Sequence, residues 1–182
     1  MIFFKNSPRN ISLTKAKTLI ANTPGSLTPI AVLVDPSLEF IKELANIGIR
    51  NIQLHGSETV AFCKNIKKEY KANVYKAINL KKNEDLQLVN KYRLVADWVL
   101  FDYKDEKSLG GTGKSFDWEI LRDKNLKYNW ILSGGLDYNN IKNAIKVTGA
   151  KAIDVSSGVE KIKGIKSTEL IKKFCDAVKS IK

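Results

Sequence analysis

Asp102 closes the apolar run Trp98-Val99-Leu100-Phe101. A carboxylate at the end of such a strand is held against protein, where partial burial raises its pKa toward values suited to general acid catalysis. The competing reading is a structural carboxylate that pairs with a lysine. Two small, glycine-bearing turns follow the last two strand-like runs: Ser133-Gly134-Gly135, and Asp154-Val155-Ser156-Ser157-Gly158. Such turns let backbone N–H groups approach an anion closely, and a helix N-terminus behind them adds favourable potential, which points to a phosphate. A tight turn with no ligand is the plainer alternative. Arg9 sits behind Pro8 in a stiffened loop, where its guanidinium suits a bidentate pair with a substrate carboxylate, although on this residue alone a surface arginine is the favoured reading. His55, the single histidine, lies in Gln53-Leu54-His55-Gly56 and reads equally as a substrate hydrogen-bond partner or a structural histidine.

Other features exclude more than they assign. Gly110-Gly111-Thr112-Gly113-Lys114-Ser115 lacks the first glycine of a nucleotide-binding loop, since that position falls on Ser108. A glycine hinge beside the active site is the better reading. One histidine and two separated cysteines, Cys63 and Cys175, make no zinc or copper site, and no metal is expected. Both cysteines fall in helical windows and read as reduced core thiols. The net charge of +12 comes from lysines scattered along helix faces, with only four arginines and no basic tail. Solvated faces explain it better than a nucleic-acid partner, and the positive field favours an anionic substrate.

The elements that must position these residues alternate. Strand-like runs at 1–4, 30–34, 51–54, 73–78, 98–102, 128–132 and 152–155 are separated by helical windows at 13–22, 37–46, 58–70, 83–92, 116–122, 138–147 and 167–181. Nearly continuous apolar strands are those of a parallel sheet covered on both faces. Ser12, Ser37 and Ser57 supply helix caps, and Gly48 and Gly149 supply stops. Seven βα units predict a TIM (β/α)8-type barrel with seven of its eight units present, or an open doubly wound α/β sheet. No linker divides the chain, so residues 1–182 are expected to form one domain. No apolar stretch reaches the ~20 residues of a membrane-spanning helix, and the expected location is cytoplasmic.

Six motifs in one order then carry a resemblance. Asn6-Ser7-Pro8-Arg9-Asn10-Ile11-Ser12, Gln53-Leu54-His55-Gly56, Leu100-Phe101-Asp102, Gly110 through Trp118, Leu132-Ser133-Gly134-Gly135-Leu136 and Asp154 through Glu160 together resemble phosphoribosylanthranilate isomerase. The resemblance spans essentially the whole chain. It implies an Amadori rearrangement in tryptophan biosynthesis, without metal or cofactor; a monomer is expected. It makes Asp102 the general acid, Arg9 the anthranilate-carboxylate partner, and Gly134, Gly135, Ser156, Ser157 and Gly158 the phosphate site, with His55 and Asp154 also at the substrate. Members of that family begin with a strand ending in Lys-x-Cys-Gly, whose cysteine is the base. Met1 stands where their second strand runs, and neither Cys63 nor Cys175 fits that position. The expectation is an isomerase lacking its first βα unit. The rival readings are a phosphate-ligand binder without turnover, and another sugar-phosphate barrel enzyme with Lys76 as a catalytic lysine.

Overall fold

The computed structural model describes residues 1–102 and 117–181. Five parallel strands follow the chain order: β1 (Ile30–Leu33), β2 (Asn51–Leu54), β3 (Asn73–Asn79), β4 (Trp98–Asp102) and β5 (Trp130–Leu132). The described residues gather into two compact units, Met1–Ala77 with Asn90–Trp98, and Ile78–Val89 with Val99–Lys182.

In the first unit, β1 pairs in parallel with β2 from Ile30↔Asn51 to Leu33↔Leu54, and β2 with β3 from Asn51↔Asn73 to Leu54↔Lys76. Ala31, Leu33, Ile52, Leu54 and Val74 are buried in these strands. Helices α1 (Leu13–Ala21), α2 (Leu38–Asn46) and α3 (Val60–Tyr70) start on capping side chains, with Ser12, Ser37 and Thr59 each accepting a backbone N–H at 3.1 Å. The cap expected at Ser57 falls two residues later, on Thr59, while the Ser57 N–H donates to Asp35 Oδ1 at 2.6 Å. Residues 1–4 make only isolated parallel bridges, Ile2↔Val32 and Ile2↔Asn10, where a strand was expected. The chain turns directly afterwards: Phe4 O accepts from Ser7 N at 2.8 Å, and Ile2 O from Ile11 N at 3.0 Å.

In the second unit, β4 pairs with β5 from Val99↔Trp130 to Phe101↔Leu132. The expected strand at 152–155 is again one bridge, Leu132↔Ile153, flanked by Leu132 N to Ala152 O (3.0 Å) and Asp154 N to Leu132 O (2.8 Å). The window at 83–92 divides into a 3-10 turn, Asn83–Leu86, and the short helix α4 (Gln87–Tyr92), since Asp85 Oδ2 captures the Lys81 and Lys82 N–H groups ahead of it. At 116–122 only a 3-10 turn, Trp118–Leu121, forms on the Asp117 cap, and Asp123 at φ +54 ends it. Helix α5 (Ile141–Thr148) ends at Gly149 with φ +67, the left-handed cap that glycine favours. An antiparallel hairpin, β6 (Glu160–Ile162) with β7 (Ile165–Lys166), was not expected, and it precedes α6 (Thr168–Lys179). In α6, Phe174 is buried and Cys175 is exposed, so Cys175 is not the core thiol that was expected. Successive helical residues point about 100° apart, and Phe174 takes the inward position. Cys63 is buried, as expected.

Candidate active site

The register of the second unit sets three side chains level. Phe101 pairs with Leu132, and Leu132 with Ile153. One residue further along stand Asp102 at the end of β4, Ser133 just past β5, and Asp154 just past the Ile153 bridge. Equivalent register positions present side chains to the same face of a sheet. Ser133 Oγ donates to Asp154 Oδ2 at 3.0 Å, and Ser133 N donates to Phe101 O at 2.9 Å. The backbone at Asp102 is held by Leu80 N, which donates to its carbonyl at 2.9 Å.

The two glycine turns lie directly beyond these strand ends and interlock. Gly134 and Gly135 have φ +86 and +66, the left-handed region where a side chain is strained. Asn140 Nδ2 closes the first turn on Gly135 O at 2.8 Å. A Cβ on Gly158 would lie 1.9 Å from Leu136 O, so the second turn packs backbone to backbone on the first. Lys166 fastens the second turn from outside, giving hydrogen bonds to Ser156 O at 2.6 Å and Glu160 Oε1 at 2.9 Å. Glu160 in turn accepts from Gly164 N at 3.0 Å. The helix expected behind each turn is modest: α5 begins only at Ile141, and Ser157–Val159 is a single 3-10 turn.

Burial pushes the Asp154 carboxyl above the usual carboxylate range, while the Ser133 hydrogen bond and the Lys166 charge oppose the shift. The unfolded value is about 3.9. Below it the carboxyl is neutral in both states. As pH rises through the raised folded value, the folded chain keeps a proton that the unfolded chain releases, so stability falls and then levels. The Asp154→Asn variant lacks that fall, and is expected to be more stable than the parent at neutral pH. Urea unfolding across pH checks this; a parent-to-variant difference that does not change with pH would remove the shift.

In the first unit the strand ends carry Asp35 and His55. His55 N donates to Leu33 O at 2.9 Å, and the Gln53 amide nitrogen lies 2.6 Å from the imidazole Nε2. Arg9 is half-buried in the loop after residues 1–4, whose turn is closed by Arg9 N to Ser7 Oγ at 3.2 Å. Lys76, the candidate lysine of the lyase reading, is buried, and its ammonium reaches Gly56 O at 2.8 Å, Glu58 Oε2 at 2.9 Å and Leu54 O at 3.2 Å. An ammonium has three donors and no acceptor, so all of its capacity is spent and no lone pair remains for a Schiff base. The lysine-based alternative fails on this geometry.

Asp102, Ser133, Asp154 and the two glycine turns are therefore brought together in the second unit, while Arg9 and His55 stand in the first. The motif Gly110 through Ser115 lies outside the described residues. Among the described residues, no group of three His, Cys, Asp or Glu side chains is arranged to hold a metal ion, and no helix is long and apolar enough to cross a membrane. Glu58, Glu160 and Lys166 were missed. Glu58 reads in sequence as an ordinary acid opening a helix, and Lys166 as one more exposed lysine.

The sequence model of the N-(5'-phosphoribosyl)anthranilate isomerase family matches residues 1–177. The N-(5'-phosphoribosyl)anthranilate isomerase of Zymomonas mobilis subsp. pomaceae is 40% identical over 180 residues, covering 98% of this chain and 85% of its own. The chain belongs to this isomerase family. The crystal structure of the Thermotoga maritima phosphoribosyl anthranilate isomerase superposes with a TM-score of 0.88 at 31% identity, over 98% of this chain and 86% of that one. A further isomerase structure, in complex with reduced 1-(o-carboxyphenylamino)-1-deoxyribulose 5-phosphate, gives 0.83 at 30% identity, over 98% and 85%. The fold class is accordingly the TIM-barrel type of these isomerases, enzymes of tryptophan biosynthesis.

Proposed function

We propose that this chain is a cytoplasmic isomerase that converts N-(5-phosphoribosyl)anthranilate to 1-(2-carboxyphenylamino)-1-deoxyribulose 5-phosphate, with Asp102 as general acid. The observation that carries the reading is the level row of Asp102, Ser133 and Asp154 beside two interlocked glycine turns. Asp102 gives its proton to the furanose ring oxygen as the C1–O bond breaks, leaving a protonated Schiff base between C1 and the anthranilate nitrogen. The C2 proton then leaves to a base, the electron pair forms an enolamine, and a proton added at C1 with loss of the C2 hydroxyl proton yields the C2 ketone. Gly134, Gly135, Ser156, Ser157 and Gly158 surround the phosphate with backbone N–H groups and hydroxyls. Arg9 pairs with the anthranilate carboxylate, and His55 and Asp154 hydrogen-bond the substrate.

One observation favours a second reading, a ligand binder without turnover. The family's base is a cysteine, and neither cysteine here stands at a strand end: Cys63 is buried in α3, with burial pushing its thiol up, and Cys175 is exposed on α6.

Gly158→Ala tests the phosphate turns. The new Cβ meets backbone at 1.9 Å and must drive the two turns apart. Overpacking of this kind costs about 1–3 kcal/mol, and displacement of the phosphate donors is expected to raise KM by at least about tenfold. Steady-state kinetics with N-(5-phosphoribosyl)anthranilate reads this, and a parental KM in a folded variant would place the phosphate elsewhere.

A further inference from the structure

A buried ion pair in the first unit has no part in the proton transfers or the phosphate turns. Lys76 Nζ and Glu58 Oε2 are 2.9 Å apart, with side chains only 4% and 2% exposed. Taking two charges out of water is costly enough that an apolar pair of similar volume often serves stability as well. The distinguishing feature is where the pair's other bonds go. Lys76 donates to Leu54 O and Gly56 O, the carbonyls on either side of His55. Glu58 Oε1 accepts from Gly56 N at 3.0 Å and from Asp35 N at 2.9 Å, fixing Asp35 at φ +45. Tyr92 closes the back of the cluster, its hydroxyl donating to Glu58 O at 3.0 Å and its ring 5.5 Å from the ammonium.

We propose that Lys76 and Glu58 are positioning residues: their charge pair clamps the peptide on both sides of His55 so that its ring keeps one orientation for the substrate. This rests on the assignment of His55 to substrate binding. The cluster stands behind the turn, where all three ammonium donors are engaged, so the pair acts through His55 and not on the reacting atoms.

The test uses Lys76→Met combined with Glu58→Gln in the full chain. Both charges leave together, and the carboxamide oxygen introduced by Glu58→Gln still accepts from Asp35 N and Gly56 N, so no lone buried charge remains. His55 is the single histidine, so every imidazole NMR signal reports on it. The expected result is a folded variant whose His55 ring shifts move away from the parent's and broaden. Its KM for N-(5-phosphoribosyl)anthranilate should rise roughly ten- to a hundredfold with kcat nearly kept, the pattern of lost binding geometry. Unmoved ring signals in the folded variant, or moved ring signals with a parental KM, would overturn the proposal. If the double variant does not fold, Lys76→Gln combined with Glu58→Gln, which is also neutral at both positions, is read in the same way. The reduced product analogue, added to the parent, separates the two assignments. If it leaves the His55 signals unmoved, the binding role of His55 fails and the proposal with it; the ring-signal comparison in the variant still reports whether the pair orders the turn.

Discussion

Asp102→Asn is expected to lower kcat for N-(5-phosphoribosyl)anthranilate by roughly a thousandfold, the middle of the range for losing a positioned general acid. Asn matches the shape of Asp but carries no acidic proton for the ring oxygen. The backbone at this position stays tied through Leu80 N to the residue-102 carbonyl, and β4 remains paired with β5 up to Phe101↔Leu132. The variant should therefore fold and melt like the parent, with KM changed much less than kcat. Stopped-assay kinetics beside a melting curve separates these terms. A kcat within a few-fold of the parent's would remove Asp102 as the acid and leave Asp154, whose carboxyl burial already holds up, as the level neighbour to examine.

The largest effect on stability is expected from Lys76→Met. Truncating one partner of a buried pair leaves the other charge uncompensated, at a cost of about 3–5 kcal/mol. Here the stranded group is the Glu58 carboxylate, 2% exposed, which keeps the N–H groups of Asp35 and Gly56 on its Oε1. Adding Glu58→Gln should recover most of that loss, because the carboxamide is neutral. Urea unfolding of the parent, the single and the double variant measures both steps. A single-variant loss under about 1 kcal/mol would put the pair among ordinary exposed ion pairs.

Much of this arrangement was legible before any coordinates. The apolar run Val99-Leu100-Phe101 reads as a strand covered on both faces, and β4 forms there with Asp102 at its end. Gly48 and Gly149 read as left-handed helix stops, and the structure has positive φ at both. Ser12 and Ser37 cap as read, because a hydroxyl ahead of an amphipathic run has few better uses. What escaped notice depends on pairings between residues distant in sequence. The cap stands at Thr59 and not at Ser57, whose N–H binds a carboxylate 22 residues earlier, and Glu58 finds its partner 18 residues later. Lys166 differs from other surface lysines only through Ser156 and Glu160, which a hairpin brings to it. Local propensity also overcounted regular structure: 3-10 turns stand at Asn83–Leu86 and Trp118–Leu121 in two of the expected helical windows.

The most direct test of the central claim is the loss of N-(5-phosphoribosyl)anthranilate fluorescence on addition of this chain, with the product identified by mass and NMR. Steady loss with formation of the 1-deoxyribulose phosphate, abolished by Asp102→Asn, is the predicted result. A chain that binds the reduced product analogue yet leaves the substrate unchanged would contradict the isomerase reading and establish the binder in its place.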